Sequence, residues 1–509
     1  MIDWTDGYRA DIPYTHSYFT DLNPSRIKLA FLNAGLVPPR IGTACELGFG
    51  HGMSVNMHAV ASTVCWYGTD FNPSHAAFAQ DMARSWQGDV GLYDEAFAQF
   101  CAREDLPDFD YICLHGIWSW ISDENRQILV DFISRKLTVG GVLYISYNTH
   151  PGWAAMQPMR DFLAQHAATM SPTSQSITER VDAALTFANQ LFATEPGYAK
   201  ANPQVASRLK QMQTQDRSYL AHEFFNMSWD PMGISKMATW LAPTKLQWAC
   251  SASVLDAVEG LHLTKEQQEF LKTIPDPIFR QTARDFCVNQ PFRKDYWIKG
   301  PQHLSAFEKR AALQALRVVL VKARADVSLK VTTSRGETQM AEPDYTPVLD
   351  CLADYAPRSI AEIAQLVPQI NFSKLMQVIT VLCGNGTLEL AQDDASIAEV
   401  REACTALNGY VLHKSQSHAE FKLLASPITG GGIAATQFEQ LFLLAARQGE
   451  GSPEGWARFA WKVTAQQGKK LVKEGKPLET PQENLDEVSR MAEEFTRKRL
   501  PLLKALEVA

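Results

Sequence analysis

Paired-cysteine motifs are missing from this chain: its nine cysteines are odd in number, and no two stand in a C-x-x-C spacing across the 509 residues. That argues against a zinc site or a disulfide framework and fits reduced thiols in a cytoplasmic protein, with no metal expected. Apolar runs of membrane-spanning length are missing too, so no membrane insertion is expected. Met1 to Asp6 have neither a basic start nor an apolar stretch, and no secretory signal is expected there. An excess of positive charge is also lacking. With a formal net charge of −8, the chain offers no global field for a nucleic-acid backbone, and no nucleic acid is expected as partner. What is present is a globular composition, 46% hydrophobic, long enough for about three domains.

The most informative stretch is Glu46-Leu47-Gly48-Phe49-Gly50-His51-Gly52. It follows an apolar run, Ile41 to Cys45, that reads as a buried parallel strand, and it precedes a helical pattern from Met53 onward. Glycines there sit at the carboxyl end of a first strand, where doubly wound sheets bind ligands. Glycine permits φ > 0 and lets a ligand approach the main chain without meeting a Cβ. The dinucleotide fingerprint G-x-G-x-x-G is not completed, because Met53 or Val55 stands where its third glycine belongs. NAD is therefore disfavoured. A second acid, Asp70, closes the apolar stretch Val64 to Thr69 about twenty residues on, the distance at which such folds place a carboxylate on ribose hydroxyls.

Strand and helix signals continue to alternate. Gly91-Leu92-Tyr93-Asp94 is a short third strand, Phe109 to His115 a fourth, and Gly140 to Asn148 a fifth, preceded by a turn at Leu137-Thr138-Val139. Such apolar strands between amphipathic helices predict a parallel sheet buried on both faces. Leu246 to Ala252 and Asp295 to Lys299 are apolar enough to be two more strands.

Glu-x-Gly-x-Gly-x-Gly with a strand-two acid resembles the class I S-adenosylmethionine-dependent methyltransferases. Three later stretches, Tyr147-Asn148-Thr149-His150-Pro151-Gly152-Trp153, Tyr219 to Asn226, and Arg284-Asp285-Phe286 with Phe292 to Asp295, resemble the bacterial members that carry a methyltransferase regulatory domain. The pattern is similar to that of bacterial outer-membrane-protein lysine methyltransferases. Pro13 to Tyr18 with Asn23-Pro24, and Pro427 to Gly432, fit the same pattern. The resemblance implies S-adenosyl-L-methionine as cofactor, a protein substrate and a homodimer. It implies cofactor contacts at Glu46, Gly48, Phe49, Gly50, Gly52, Asp70, Phe71, Asp94, Glu95, Leu114 and His115. The fourth strand ends in His115-Gly116-Ile117-Trp118 and lacks the Asn/Asp-Pro-Pro-aromatic motif used on exocyclic amines of bases or on glutamine amides.

The expected fold is α/β: a Rossmann-like, seven-stranded class I methyltransferase sheet with a helical insertion, followed by winged-helix-like and helical C-terminal domains. The methyltransferase domain is expected over residues 1–165 and 219–300, the latter being the regulatory-type segment, with the insertion at 166–218. Residues 301–345 read as a linker. Residues 346–400 read as a winged-helix-like module of three short helices and a hairpin, in which Ser359 and Glu362 form a capping box. The helix from Asn371 to Cys383 has only Lys374 as a cation, which favours partner binding over DNA reading. Residues 401–509 read as mostly helical, with Lys469, Lys470 and Lys473 on a solvated face.

For catalysis, a protein lysine must lose a proton before it can attack a methyl group, and an aromatic pocket favours the neutral amine by desolvation. Tyr14, Tyr18, Trp118, Tyr147 and Trp153 are the aromatic candidates for such a pocket, with Asn148 as a polar guide. Glu223, beside His222, is the acid/base candidate, and helical geometry predicts that only one of the two faces the site. Two alternatives are a small-molecule O- or N-methyltransferase in a biosynthetic pathway and a cofactor-binding regulatory or scaffold protein of little activity.

Overall fold

Apolar residues run almost without interruption through Ala44–Leu47, Tyr111–Leu114 and Val142–Ile145, and in the computed structural model these stretches are the fully buried centre of one sheet. The structure describes residues 16–172, 174–226 and 228–509. The sheet has seven strands: β1 (Thr43–Leu47), β2 (Cys65–Thr69), β3 (Gly91–Tyr93), β4 (Phe109–Leu114), β5 (Leu137–Asn148), β6 (Gln247–Ser251) and β7 (Phe292–Ile298). Their spatial order is β3-β2-β1-β4-β5-β7-β6. The first five are parallel, and β7 runs antiparallel between β5 and β6. Leu137 to Val139, expected as a turn, opens β5, and the β4–β5 register shifts between Phe109 and Tyr111.

Side-chain parity divides the core into two layers. Ile112, Leu114, Leu143, Ile145 and Tyr147 face Leu129, Phe132 and Ile133 of helix Asp123–Lys136. Tyr111, Cys113, Val142 and Tyr144 face Phe31, Val55 and Ala59 on the other side. The chain leaves β1 and β4 in opposite directions along the sheet, so the crevice outside their carboxyl ends is the topological switch point. The helix following β2, Pro73–Arg84, begins as its sequence predicts, with Pro73 in the first turn and the Asn72 side chain accepting from the Ser74 amide.

Between β5 and β6, helices Gln157–Thr169, Ile177–Ala193, Pro203–Met212 and Arg217–Phe224 share a core of their own around Leu163, Val181, Leu185, Leu209, Leu220 and Phe224. β7 then brings Arg293 between Asp285 (2.5 Å) and Asp295 (2.8 Å), all three buried.

Residues 301–345, expected as a linker, are folded. They hold helix Ala306–Ala315, strand Arg317–Leu320 and a hairpin of Lys330–Thr333 with Gly336–Gln339. The reason is burial: Val318, Val319 and Leu320 are fully enclosed. Strand Arg317–Leu320 lies at the centre of a three-stranded sheet, antiparallel to Arg358–Ser359 and Leu388–Ala391. Leu388–Ala391 therefore pairs far upstream and not within the hairpin expected at Gly384 to Leu390. Helices Glu342–Cys351, Ile360–Leu366 and Phe372–Gly384 pack on this sheet, the second with the Ser359–Glu362 capping box in place. Helix Asp394–Lys414 continues across residue 400 into the C-terminal region. There, helices Gln437–Arg447, Pro453–Gln466 and Pro481–Glu494 share a core with Met53, Met57 and Val60 of the helix after the glycine loop. Among the described residues, no helix is long and apolar enough to cross a membrane.

Candidate active site

The glycine loop holds its shape through left-handed backbone at Gly48 (φ +78°), Gly50 (φ +57°) and Gly52 (φ +69°). Two of these glycines also serve the chain's own packing. A Cβ on Gly48 would stand 2.5 Å from Ile117 Cδ1, and one on Gly52 would stand 2.5 Å from Ala79 Cβ. Asp70 ties the loop to the end of β2: its Oδ2 accepts from the Gly50 amide at 2.8 Å, while Oδ1 accepts from the Asn72 amide at 3.0 Å and lies 3.1 Å from His75 Nδ1.

Above the carboxyl ends of the parallel strands lies a cavity of about 970 Å³. Its catalytic-domain wall includes Glu46, Gly48, Phe49, Gly50, Asp70, Phe71, Glu95, His115 and Asn148. The opposite wall comes from the helices inserted between β5 and β6, through Arg208, Tyr219, His222 and Glu223. Buried polar atoms in the lining residues that lack hydrogen-bond partners include Glu46 Oε2, Glu95 Oε2 and Asn148 Nδ2. A buried carboxylate oxygen and amide nitrogen left unpaired are costly unless a ligand satisfies them.

Electrostatics single out three groups. Burial, reinforced by the neighbouring charge of Asp70, pushes the Glu46 carboxyl up to about 8. Burial pushes Glu223 up to about 7 against the opposing pull of Arg208. The His115 imidazole is pushed down to about 4 by burial, with Asp21 opposing and Lys294 assisting. Its Nδ1 lies 2.8 Å from the Tyr144 hydroxyl, and its ring stacks on Phe19 with centroids 3.8 Å apart.

Several residues expected at the site lie elsewhere. Leu114 and Tyr147 share the inward parity of their strands; the Tyr147 hydroxyl donates to Asp295 at 2.9 Å in the buried ionic cluster. Trp118 is fully buried, its Nε1 3.3 Å from the Met232 sulfur, and Trp120, two residues on, lines the cavity instead. Asp94 is exposed and outside the lining, while its neighbour Glu95 faces in and pairs with Arg103 at 2.8 Å. Tyr18 packs against the C-terminal region, and Tyr14 lies outside the described residues. Gly52 is at the base of its helix, packed on Ala79. Trp153 does line the cavity, its ring held edge-on to Trp229 at 5.1 Å. His222 and Glu223 both line it, whereas only one was expected to, because the cavity runs along the side of their helix and reaches both.

Trp120, at the tip that follows the fourth strand, and Phe292, in one of the stretches that carry the family resemblance, line the cavity, as does Arg208, which the sequence did not single out. Arg208 lies on helix Pro203–Met212.

Residues 216–299 match the family model described as a predicted methyltransferase regulatory domain. That segment opens with helix Arg217–Phe224 and contributes β6 and β7, so it is built into the sheet. The uncharacterized protein sll1526 of Synechocystis is 36% identical over 513 residues, covering 99% of this chain and 100% of its own length. The uncharacterized protein RP789 of Rickettsia prowazekii is 24% identical over 300 residues, 56% of this chain and 51% of its own. Among solved structures, PKMT2 from Rickettsia typhi in complex with AdoHcy superposes with a TM-score of 0.68 at 16% identity, over 98% of this chain and 100% of that one. This last likeness shows a shared fold.

Proposed function

The chain belongs to the family of class I methyltransferases that carry a methyltransferase regulatory domain, and from that membership we propose that it transfers methyl groups from S-adenosyl-L-methionine to lysine Nε of a protein substrate. The observation that carries the reading is a single cavity with the glycine loop and Glu46 on one wall and Glu223 on the other. Glu46, Gly48, Gly50, Asp70, Phe71 and His115 would hold the cofactor, and the residues present suit it: positive-φ glycines let the main chain approach closely, and the orphaned Glu46 oxygen awaits a donor. When bound, S-adenosylmethionine supplies a methyl group on a sulfonium, open to in-line displacement.

The protein's own task is to align a neutral nucleophile and keep water out. Asn148, at the end of β5, presents its side chain to the cavity. Trp118, being buried in the core, leaves the cavity clear. His115, held neutral by burial, adds no positive charge beside the cationic cofactor. The unit from Ala306 to Ala391 is read as winged-helix-like and partner-binding, because its helix Phe372–Gly384 offers only Lys374 as a cation. A cytoplasmic homodimer belongs to the same reading and rests on the family resemblance.

The test is incubation with methyl-labelled S-adenosylmethionine and a lysate of the protein's own cells, followed by mapping of the label by mass spectrometry. Label on lysines of a discrete protein is expected. Label confined to the small-molecule fraction would overturn the protein-lysine assignment, and failure to bind S-adenosylhomocysteine would overturn the methyltransferase reading itself.

A further inference from the structure

Helix Arg217–Phe224 is started by Asp216, whose Oδ1 accepts from the Tyr219 amide at 2.9 Å. Leu220, Ala221 and Phe224 are buried in the insertion core. Tyr219, His222 and Glu223 fall at i, i+3 and i+4, which places them along one side of the helix, and all three line the cavity together with Asn226, two residues past the helix end. From the neighbouring helix, Arg208 reaches the same wall, and its positive charge acts on both Tyr219 and Glu223. Beside these is an aromatic wall, in which Trp153 packs on Phe224 of the same helix at 5.9 Å between ring centroids. Trp153 and Trp120 both line the cavity and both pack on Trp229, at 5.1 Å and 6.2 Å between ring centroids. Trp229 is itself covered by the Arg160 guanidinium at 5.1 Å. The indoles are thus braced from behind.

We propose that this junction, with Tyr219 and Glu223 on the inserted helices and Trp120 and Trp153 on the catalytic domain, is the acceptor site, and that it takes a primary alkylammonium with Glu223 as the group that receives its proton. The inference rests on the methyltransferase reading above and names the substrate end of the same cavity. Aromatic rings and an ionised carboxylate together attract a cation while desolvating it. Arg208 limits how strongly burial suppresses the ionised form of Glu223, so the carboxylate remains available near neutral pH. The other titratable groups around Glu223 are Tyr219 and His222 on its own wall and Glu46, Asp70, Glu95, His51, His75 and His115 across the cavity. A guanidinium holds its proton more firmly than an ammonium, so a primary amine is the acceptor that this carboxylate deprotonates more readily. A hydroxyl acceptor would leave the pairing of aromatic wall and carboxylate without a cation to bind.

The step balances as follows. One N–H proton of the ammonium passes to the Glu223 carboxylate, leaving a neutral amine with a lone pair. That pair forms the N–C bond to the methyl group as the C–S bond breaks and its electrons return to sulfur, giving a thioether. The secondary ammonium product carries the positive charge, and the proton on Glu223 leaves to water.

The experiment compares the full-length chain with Glu223→Gln. S-adenosylhomocysteine affinity is first measured by calorimetry, and Nα-acetyl-L-lysine methylamide is then titrated into the loaded protein by the same method. Saturable binding is expected in the wild type, weakened about ten-fold or more in Glu223→Gln, with S-adenosylhomocysteine affinity unchanged. The norleucine analogue, which lacks the ammonium, should not bind the wild type. Equal lysine-probe affinity in the variant, equal binding of norleucine, or no saturable binding by the loaded wild type would overturn the acceptor site while leaving the cofactor reading intact. No binding of S-adenosylhomocysteine by the wild type would overturn the reading beneath it. Should the glutamine variant fail to fold, Glu223→Asp serves the same comparison, with probe affinity again expected to fall.

Discussion

The Tyr18 hydroxyl accepts a hydrogen bond of 2.8 Å from the Gly432 amide, joining the segment before the first helix to the C-terminal region. Gly431 and Gly432 allow this approach, for a Cβ on Gly431 would stand 2.5 Å from the Tyr18 oxygen. Nearby, Asn23 Nδ2 donates to the Thr429 carbonyl at 3.1 Å and the Phe19 amide donates to Ser54 Oγ at 2.9 Å. Since Ser17 and Phe19 line the cavity, the C-terminal region holds a segment that borders the active site. Tyr18→Phe leaves the Gly432 N–H without its acceptor, a loss of about 1–3 kcal/mol. Amide exchange at Gly432 and at residues 17–19 should accelerate about ten-fold or more, and S-adenosylhomocysteine should dissociate faster. Unchanged exchange would show that the clasp does not hold the segment.

Gly48 and Gly52 should respond differently to alanine, although both have positive φ. Each pays about 1–2 kcal/mol for left-handed backbone. At Gly48 the new Cβ meets the flexible end of Ile117, itself a cavity residue, which can swing aside only at the expense of cavity shape. At Gly52 it meets Ala79, which has no rotamer to adjust, so the two helices must separate. Gly52→Ala should lower the melting temperature more, and Gly48→Ala should weaken S-adenosylhomocysteine binding more. Thermal denaturation and calorimetry on both variants test the contrast.

These glycines, with Glu46 and Asp70, were legible because a positive-φ loop after an apolar strand leaves a local signature. The sheet was legible for the same reason, its strands being short apolar runs with clear boundaries. Side-chain direction was harder to read. Tyr147 and Asn148 are adjacent, yet parity sends the first to Asp295 in the core and leaves the second at the cavity. Trp118 and Trp120 are separated by a turn of 3-10 helix whose phase no propensity reveals. Asp94 and Glu95 differ by a single residue, and only the register of β3 decides which one faces in. Arg208 lies on an inserted helix whose return over the cavity is set by tertiary packing around Leu209 and Leu220. The strand Arg317–Leu320 was missed because it is short and its partners lie far along the chain.

Two buried imidazoles oppose folding in acid, while the raised carboxyls of Glu46 and Glu223 favour it. His58 and His115 are each pushed down to about 4, chiefly by burial. Their folded values lie below the unfolded value of about 6.5, so at these two sites the unfolded chain takes up protons first and their contribution to stability falls as pH drops from about 6.5 toward 4. Between pH 7 and pH 5 each histidine accounts for a loss of roughly 2 kcal/mol. Because the raised carboxyls of Glu46 and Glu223 act in the opposite direction, the test is a comparison: between pH 7 and pH 5 in urea denaturation, His58→Gln should lose less stability, or gain more, than the wild type by roughly 2 kcal/mol. The same change in both proteins would show that the His58 ring is not held neutral.

Arg208→Met is expected to move the pH dependence of methyl transfer and not merely its size. Arg208 opposes the upward push of burial on Glu223, so its removal raises that carboxyl further above about 7. The ionised form, which takes the proton from the acceptor amine, is then reached only at higher pH. The rising limb of the rate against pH should shift upward by about one unit. At pH 7 the rate should fall several-fold, recovering toward the wild-type value near pH 9. Methionine retains most of the aliphatic length, so packing against the inserted helices is largely preserved. A rate lowered by the same factor at every pH would instead identify Arg208 as a purely structural support, and an unchanged profile would separate it from Glu223 altogether.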